Sequence, residues 1–394
     1  MDQRKSALSA WARRCLEELA GLRPESETVR ALASAPVETV SGDASFRRYF
    51  RIRLDGSLLR GGGIVFEQQQ PLDELLNASS FVLVDAPPAH EDCHKFVRIA
   101  RLLRDAGLLT PRVIQVDYEQ GFMLLEDFGD TLYLPQLLTS KASGDAAADT
   151  LYQAAMAALI ELQARGKGGE LAPYDRALLR REMALFDEWF CERFLGLKLS
   201  VQERTLLDET WTFLEDAALA QTQVCVHRDY HSRNLMILHD DIAHAPGVID
   251  FQDAVLGACT YDLVSLLRDC YIVWPQERVR DWALQFRGQA VLRGIIPAGD
   301  ESGFLRDFDL MGLQRHIKVI GIFCRLNLRD GKVRYMADVP LVIDYVLHVA
   351  IMHPEMKPFL DWFQNKVLPI ALPKLRAFSE PGVVAEGIVA EGVV

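Results

Sequence analysis

Eight consecutive residues, His227-Arg228-Asp229-Tyr230-His231-Ser232-Arg233-Asn234, bring a carboxylate, an amide and two imidazoles into one short segment. Past Asn234 the chain turns apolar, and a second apolar run, Val248-Ile249, ends in Asp250-Phe251. His-x-Asp-x4-Asn followed by Asp-Phe is the spacing that ATP-dependent phosphoryl transfer requires. One carboxylate, Asp229, takes or orients the proton of the attacking hydroxyl. An amide oxygen and a second carboxylate, Asn234 and Asp250, hold Mg²⁺ against the phosphates of ATP. Leu235-Met236-Ile237-Leu238 and Val248-Ile249 predict a hairpin that fixes this spacing. His227 shapes the loop, because Asp229 already fills the position of the base. The eight-residue pattern alone could arise by chance, and the hairpin-spaced Asp-Phe makes coincidence hard to sustain.

Other elements must carry this loop. The first third of the chain reads as mixed α/β. An opening amphipathic helix repeats apolar residues at Leu8, Trp11, Cys15 and Leu19. A short strand over 37–40, a small-residue turn over 41–45 and a second strand follow. In that strand Phe50, Ile52 and Leu54 alternate with Arg51 and Arg53, the period-2 pattern of a half-buried strand. Residues 55–80, rich in Gly and Gln, read as a surface excursion. A strand over 81–84, a helix over 91–106 and strands over 112–117 and 122–125 complete the unit. From Tyr133 the periods are helical, except for a β-rich island over 224–251 that holds nearly all the chemistry. The last residues repeat Ala-Glu-Gly and predict a disordered tail. The expected class is α+β, with a small mixed lobe over 1–128, a larger mainly helical lobe over 129–376 and a tail over 377–394.

The chain has 394 residues and a formal net charge of −12, which argues against a protein that coats nucleic acid. Its seven cysteines form no CxxC pair and read as reduced, packed thiols. No stretch approaches the roughly 20 apolar residues of a membrane span, and the first residues carry no secretory pattern. The cytoplasm is the expected compartment.

The loop resembles that of the aminoglycoside phosphotransferase and choline kinase group, which is built like the protein kinases and acts on small molecules. The segment after Asp250, including Tyr261-Asp262-Leu263, is similar to the same group. Further motifs narrow the resemblance: Ser41-Gly42-Asp43-Ala44-Ser45-Phe46-Arg47-Arg48, Asp85-Ala86-Pro87-Pro88, Leu124-Leu125-Glu126-Asp127-Phe128-Gly129-Asp130, Leu178-Leu179-Arg180-Arg181-Glu182 and Arg315-His316-Ile317-Lys318-Val319-Ile320-Gly321. Together they resemble a bacterial branch of anomeric amino-sugar kinases over roughly residues 10 to 375. The resemblance implies a protein-kinase-like, two-lobed fold. It also implies ATP as co-substrate and N-acetylmuramate or N-acetylglucosamine as acceptor, phosphorylated at C1 in cell-wall recycling. Asp262 then braces the catalytic loop, and Glu126-Asp127-Phe128 forms the hinge at the adenine edge.

Two features depart from the pattern. Kinase-like small lobes use a strand Lys on the phosphates, yet no Lys lies between Lys5 and Lys95. Arg47, Arg48 or Arg51 must substitute, with Ser45 adding a hydroxyl in the turn, or the phosphates rely on backbone N–H groups and metal. The second departure is the long excursion over 55–80.

Two helices hold the clues to the acceptor. Glu182 stands amid the apolar residues Leu178, Leu179, Leu185, Phe186 and Trp189, where a carboxylate must be either used or paired with an Arg. On a second helix, over 310–328, Arg315, Lys318, Arg325 and Arg329 fall on one face. That stripe is either a solvated face or a seat, through Arg315 and Lys318, for the lactyl carboxylate of muramate. Tyr174, Trp189, Tyr271 and Trp274 could stack on a sugar or belong to the core. Aminoglycoside phosphotransfer and a nucleotide-binding pseudokinase scaffold are the rival readings, and a monomer is expected.

Overall fold

The computed structural model describes residues 2–19, 32–41, 46–53, 80–238 and 241–378. Ser45, the excursion over 55–79 and the tail from 379 lie outside the described residues. Those described divide into two compact units, one of residues up to 101 together with 110–131, the other of 102–109 and the residues from 132 onward. This differs from a simple cut at residue 128. The Leu109 carbonyl accepts the Val248 N–H at 2.7 Å, which ties that short segment to the β-rich island of the helical unit.

The first unit is a five-stranded antiparallel sheet in the order β1-β2-β3-β5-β4, with β1 Val37–Ser41, β2 Arg48–Arg53, β3 Ser80–Asp85, β4 Val113–Asp117 and β5 Phe122–Glu126. Alternation sets one face: Phe50, Ile52, Phe81, Leu83, Phe122 and Leu124 pack with Leu8, Trp11, Cys15 and Leu16 of helix α1, Gln3–Leu19. Helix α2, Cys93–Asp105, follows β3. The other sheet face is buried too, through Tyr49, Val82, Val84, Met123 and Leu125. That second covered face corrects the half-buried expectation for β2. Arg51, opposite Val82, is itself buried.

Helices dominate the second unit. In order they are α3 Tyr133–Ser143, α4 Ala147–Arg165, α5 Arg176–Leu185, α6 Val201–Ala220, α7 Tyr261–Leu267, α8 Gln276–Leu292, α9 Glu301–Asp330, α10 Val339–Ala350, α11 Lys357–Trp362 and α12 Leu368–Arg376. Asp175 caps α5 by accepting the Leu178 N–H, and after Leu185 the helix widens into i→i+5 turns over Phe186–Phe194. The widening begins where α9 crosses. A Cβ on Gly321 would stand 2.4 Å from the Leu185 carbonyl carbon and 2.5 Å from the Phe186 nitrogen, so only glycine lets α9 approach this closely. The approach brings Lys318, one turn before Gly321, against Glu182. All seven cysteines are free and buried. No helix among the described residues is long and apolar enough to cross a membrane.

Candidate active site

The island over 223–258 is made of two short antiparallel pairs. Strand β6, Gln223–Val226, pairs with β9, Val255–Ala258, while β7, Leu235–Met236, pairs with β8, Gly247–Val248. The loop 227–234 runs from β6 to β7, and Asp250 follows β8. Apolar residues seal the strands: Val226, Leu235, Met236 and Val248 are fully or almost fully buried. The hairpin therefore holds Asn234 and Asp250 at a fixed separation, and the Ile249 N–H donates to the Asn234 carbonyl at 3.1 Å.

Three side chains hold the loop's own backbone. The buried carboxylate of Asp262, from the first turn of α7, accepts the N–H of His227 at 2.7 Å and of Arg228 at 2.9 Å. Asp269 accepts the Ser232 N–H at 3.0 Å and the Ser232 hydroxyl. Tyr230 donates its hydroxyl to the Ala155 carbonyl at 2.9 Å. His227 Nδ1 accepts the Asp229 N–H at 3.2 Å. Burial pushes the His227 imidazole down to about 4, so the ring stays neutral and can accept. Arg228 sits at φ +80 and Asp250 at φ +61, left-handed backbone that a non-glycine residue keeps only when its surroundings hold it.

Asp229 projects from this frame half-buried. Burial alone would raise its carboxyl, yet the charges of Lys318, His231, Arg228 and Arg315 outweigh that and hold it below the usual aspartate range. The group is ionised at neutral pH and able to accept a proton. Asn234 Nδ2 donates to the Asp229 carbonyl at 3.0 Å and lies 3.5 Å from Asp250 Oδ2. That orientation turns the Asn234 amide nitrogen toward the loop and Asp250 and leaves its oxygen as the end able to meet a cation. Gln252 Nε2 donates to Asp250 Oδ1 at 2.8 Å, and Gln252 Oε1 is buried without a protein partner. These are hard oxygen donors beside one carboxylate, a set that suits Mg²⁺ shared with substrate phosphates. Among the described residues no group of three or more His, Cys, Asp or Glu is arranged to hold a metal alone.

Around Asp229 the structure gathers Glu182, Arg228, Lys318 and Arg315. Glu182 accepts from Arg228 and Tyr174, and pairs with Lys318 Nζ at 3.0 Å. Burial would raise the Glu182 carboxyl, but Lys318 and Arg228 overcome it and keep the group ionised. The paired reading of Glu182 thus has its Arg, and a Lys besides. Lys318 also donates to the Tyr261 hydroxyl at 3.0 Å. The solvated-stripe reading of α9 fails for Arg315 and Lys318, whose residues are 4% and 6% exposed. Arg329 is at the surface, paired with Asp330 at 2.7 Å. Of the four aromatics, Tyr174 and Trp274 are core, Trp274 donating to the Tyr152 hydroxyl. Trp189 lies under Arg193. Tyr271 stands beside the loop, its ring 5.4 Å from His231 and beneath Arg233.

In the first unit the three arginines separate. Arg51 makes paired contacts with Asp127, bonds both oxygens of Asp130 at 2.8 Å and reaches the Gly129 carbonyl at 3.0 Å. Arg48 pairs with Asp2 and with the buried Asp85, which Arg4 also holds. Neither fits the expectation of a cation kept for phosphate, because carboxylates already occupy them. Arg47 pairs with Glu91 at the longer distance of 3.6 Å. Glu126 accepts the Arg112 N–H at 3.1 Å, Asp127 accepts the Gly129 N–H at 3.0 Å, and Phe128 is half-buried beside them.

Sequence reasoning missed Asp269 and Gln252. Asp269 follows an apolar helix, where the cost argument used for Glu182 would have found it. Nothing in the sequence singles out Gln252, and for Tyr174 the core alternative holds, with its hydroxyl donating to Glu182.

A family model described as phosphotransferase enzyme family matches residues 36–295. An N-acetylmuramate/N-acetylglucosamine kinase of Pseudomonas aeruginosa is 39% identical over 360 residues, covering 90% of this chain and 94% of that one. A protein of the same name from Pseudomonas putida is 39% identical over 355 residues, again covering 90% and 94%. Among solved structures, an ethanolamine kinase of Plasmodium vivax superposes with a TM-score of 0.53 at 10% identity, over 85% of this chain and 87% of that one. The fold is α+β and protein-kinase-like, with a sheet-based first unit and a helical second.

Proposed function

This chain belongs to the phosphotransferase enzyme family, and from that premise we propose that it transfers the γ-phosphoryl group of ATP to a hydroxyl of N-acetylmuramate or N-acetylglucosamine. Relatives at 39% identity, matched over nine-tenths of this chain, carry those two sugars in their name. The observation that carries the reaction type is Asp229: half-buried, ionised, and joined through its own carbonyl to Asn234 beside Asp250.

Asp229 accepts the proton of the acceptor hydroxyl as the oxygen attacks phosphorus, and His227 and Asp262 hold it in place. Asn234 and Asp250 would hold Mg²⁺, with Gln252 fixing the Asp250 carboxylate; the metal supplies counter-charge to the phosphates. Arg48 and Arg51 are taken up by carboxylates, and we assign Arg47 to the nucleotide phosphates together with Ser45. Glu126, Asp127 and Phe128 follow the last apolar strand and are assigned to the adenine side. Glu182 works at one remove, setting Lys318 and Arg228 around Asp229, while Arg315 and Lys318 face the acceptor. The reacting atom is the anomeric C1 hydroxyl, giving the sugar 1-phosphate. Both sugars are bacterial cell-wall components, and their recovery is the role this activity fits. The enzyme acts as a monomer in the cytoplasm on small molecules. Its charge of −12 opposes a nucleic acid partner.

Phosphorus NMR after incubation with Mg-ATP and each sugar in parallel tests the reading. A sugar-dependent anomeric phosphate signal is expected. Silence with both sugars, in protein shown to bind ATP, would overturn the acceptor assignment and bring forward aminoglycosides.

A further inference from the structure

Three cations surround Asp229, and two of them are matched. Arg228 meets Glu182, and Lys318 meets Glu182 and the Tyr261 hydroxyl. Arg315 is different. Its residue is 4% exposed, its hydrogen bond runs from Nη1 to the thiol sulfur of Cys270 at 3.4 Å, and its Nε is sealed from solvent with no acceptor. A guanidinium carries five donors, and a neutral thiol satisfies one of them weakly. Burial acts against its charge, and Cys270, Tyr261 and Asp229 outweigh that and keep the guanidinium charged, with no carboxylate hydrogen-bonded to it among the described residues. Asp229 feels that charge, but a base that must take a proton from the acceptor cannot also serve as a closed ion-pair partner.

We infer that Arg315 receives the carboxylate of the acceptor, and so sets the enzyme's preference for an acidic amino sugar over its neutral counterpart. The inference rests on the acceptor assignment above. The two sugars differ in charge by one lactyl carboxylate, and Arg315 is the cation of this cluster that, among the described residues, hydrogen-bonds no carboxylate. The transferred phosphoryl group would take its counter-charge from the metal that Asn234 and Asp250 would hold. A carboxylate takes a guanidinium's donors in pairs, which a Lys cannot match. Asp229 and Arg315 thereby read two points of one sugar, the reacting hydroxyl and the acidic substituent.

The test compares wild type, Arg315→Met and Arg315→Lys. Steady-state kinetics are measured with each sugar, and binding of N-acetylmuramate is measured by calorimetry without ATP. In Arg315→Met the KM and Kd for N-acetylmuramate rise about tenfold or more, as loss of a charged hydrogen bond implies. N-acetylglucosamine serves as the reference, and the ratio of kcat/KM between the two sugars shifts about tenfold against N-acetylmuramate. Arg315→Lys falls between. Any change in Asp229 basicity affects both sugars and cancels in their ratio. Because no carboxylate hydrogen-bonds Arg315 among the described residues, Arg315→Met unfolds within a few degrees of wild type; a large drop would mean that Arg315 is structural and overturn the inference. Equal losses with both sugars, or no loss with either, overturn it as well. Wild-type protein that neither binds nor phosphorylates N-acetylmuramate would overturn the acceptor assignment together with it. Turnover of both sugars at an unchanged ratio overturns this inference alone.

Discussion

Each unit buries a cluster of arginine and carboxylate, and the two clusters are put together differently. In the sheet unit one guanidinium, Arg51, spends all three of its nitrogens on Asp127, Asp130 and the Gly129 carbonyl. In the helical unit Arg228, Lys318 and Arg315 face Glu182 and Asp229, three cations for two carboxylates. The first cluster is closed and fixes the segment after β5 against β2. The second is open, and its surplus is positive beside a carboxylate that must change protonation state. Burial does not separate them, since both are buried. Partner balance does, and it is the better pointer to chemistry.

The sharpest way to test the contrast is to remove one member from each cluster. Asp229→Asn keeps the shape of the open cluster and removes the base. We expect kcat to fall by about 10²–10⁴-fold with either sugar, while the unfolding temperature stays within a few degrees of wild type. A variant that retained most of its turnover would remove Asp229 from the role of base.

Arg51→Met should do the reverse. It leaves the Asp127 side chain, 2% exposed, buried without its partner, whereas Asp130, 58% exposed, turns to water. Breaking a buried pair from one side costs about 3–5 kcal/mol. Urea unfolding should show that loss, and Asp130→Asn should show almost none. Equal effects of the two substitutions would mean that Asp127 is rescued by water and that the cluster is not closed.

Glu182→Gln tests the join between the structural and chemical parts. The amide still accepts from Tyr174, yet Lys318 and Arg228 lose their shared counter-charge. About 2–3 kcal/mol of stability should go, the range for a hydrogen bond to a charged group. The two released cations then draw the Asp229 carboxyl further down, so the acidic limb of the kcat profile moves to lower pH. An unmoved limb with lowered stability would confine Glu182 to packing.

Local chemistry was legible in the sequence and balance was not. The loop, the hairpin and Asp250 could be read because their spacing is local, and a hairpin converts sequence distance into geometry. The helical spacing of Arg315 and Lys318 was also legible. Whether that face met water or a carboxylate depended on Gly321, whose missing side chain lets α9 settle against the α5 backbone and carries Lys318 to Glu182. Arg51 looked like an outward residue of a half-buried strand because alternation reports one face of a sheet; covering of the second face is a tertiary fact. Asp127 and Asp130 lay 76 and 79 residues away, and no local pattern announces such a pairing.

The smallest effect we expect concerns the residue after Arg315. The His316 ring stacks on Tyr345 at 4.7 Å, and its Nε2 lies 3.0 Å from the Arg268 carbonyl. Burial first, and the Arg315 charge second, push its imidazole down to about 3. Unfolded, the ring takes a proton near its ordinary value of about 6.5. The unfolded chain therefore binds the proton first as pH falls, and the stability His316 lends, complete above about 6.5, is lost progressively toward 3. Each pH unit in that window costs up to about 1.4 kcal/mol. The raised carboxyls of Asp262 and Asp338, both near 7, tilt the wild-type curve the other way, since they favour the folded state as pH falls toward the ordinary aspartate value. The diagnostic quantity is accordingly the difference between wild type and His316→Phe. The variant loses the contact with the Arg268 carbonyl at every pH, so it is less stable at pH 7. Between pH 6 and pH 5 the gap should narrow by about 1 kcal/mol, because the phenylalanine leaves nothing to protonate in the unfolded chain. A gap that stayed constant would mean that His316 takes its proton equally well in the folded protein, and that the surplus charge of the open cluster does not reach one residue beyond Arg315.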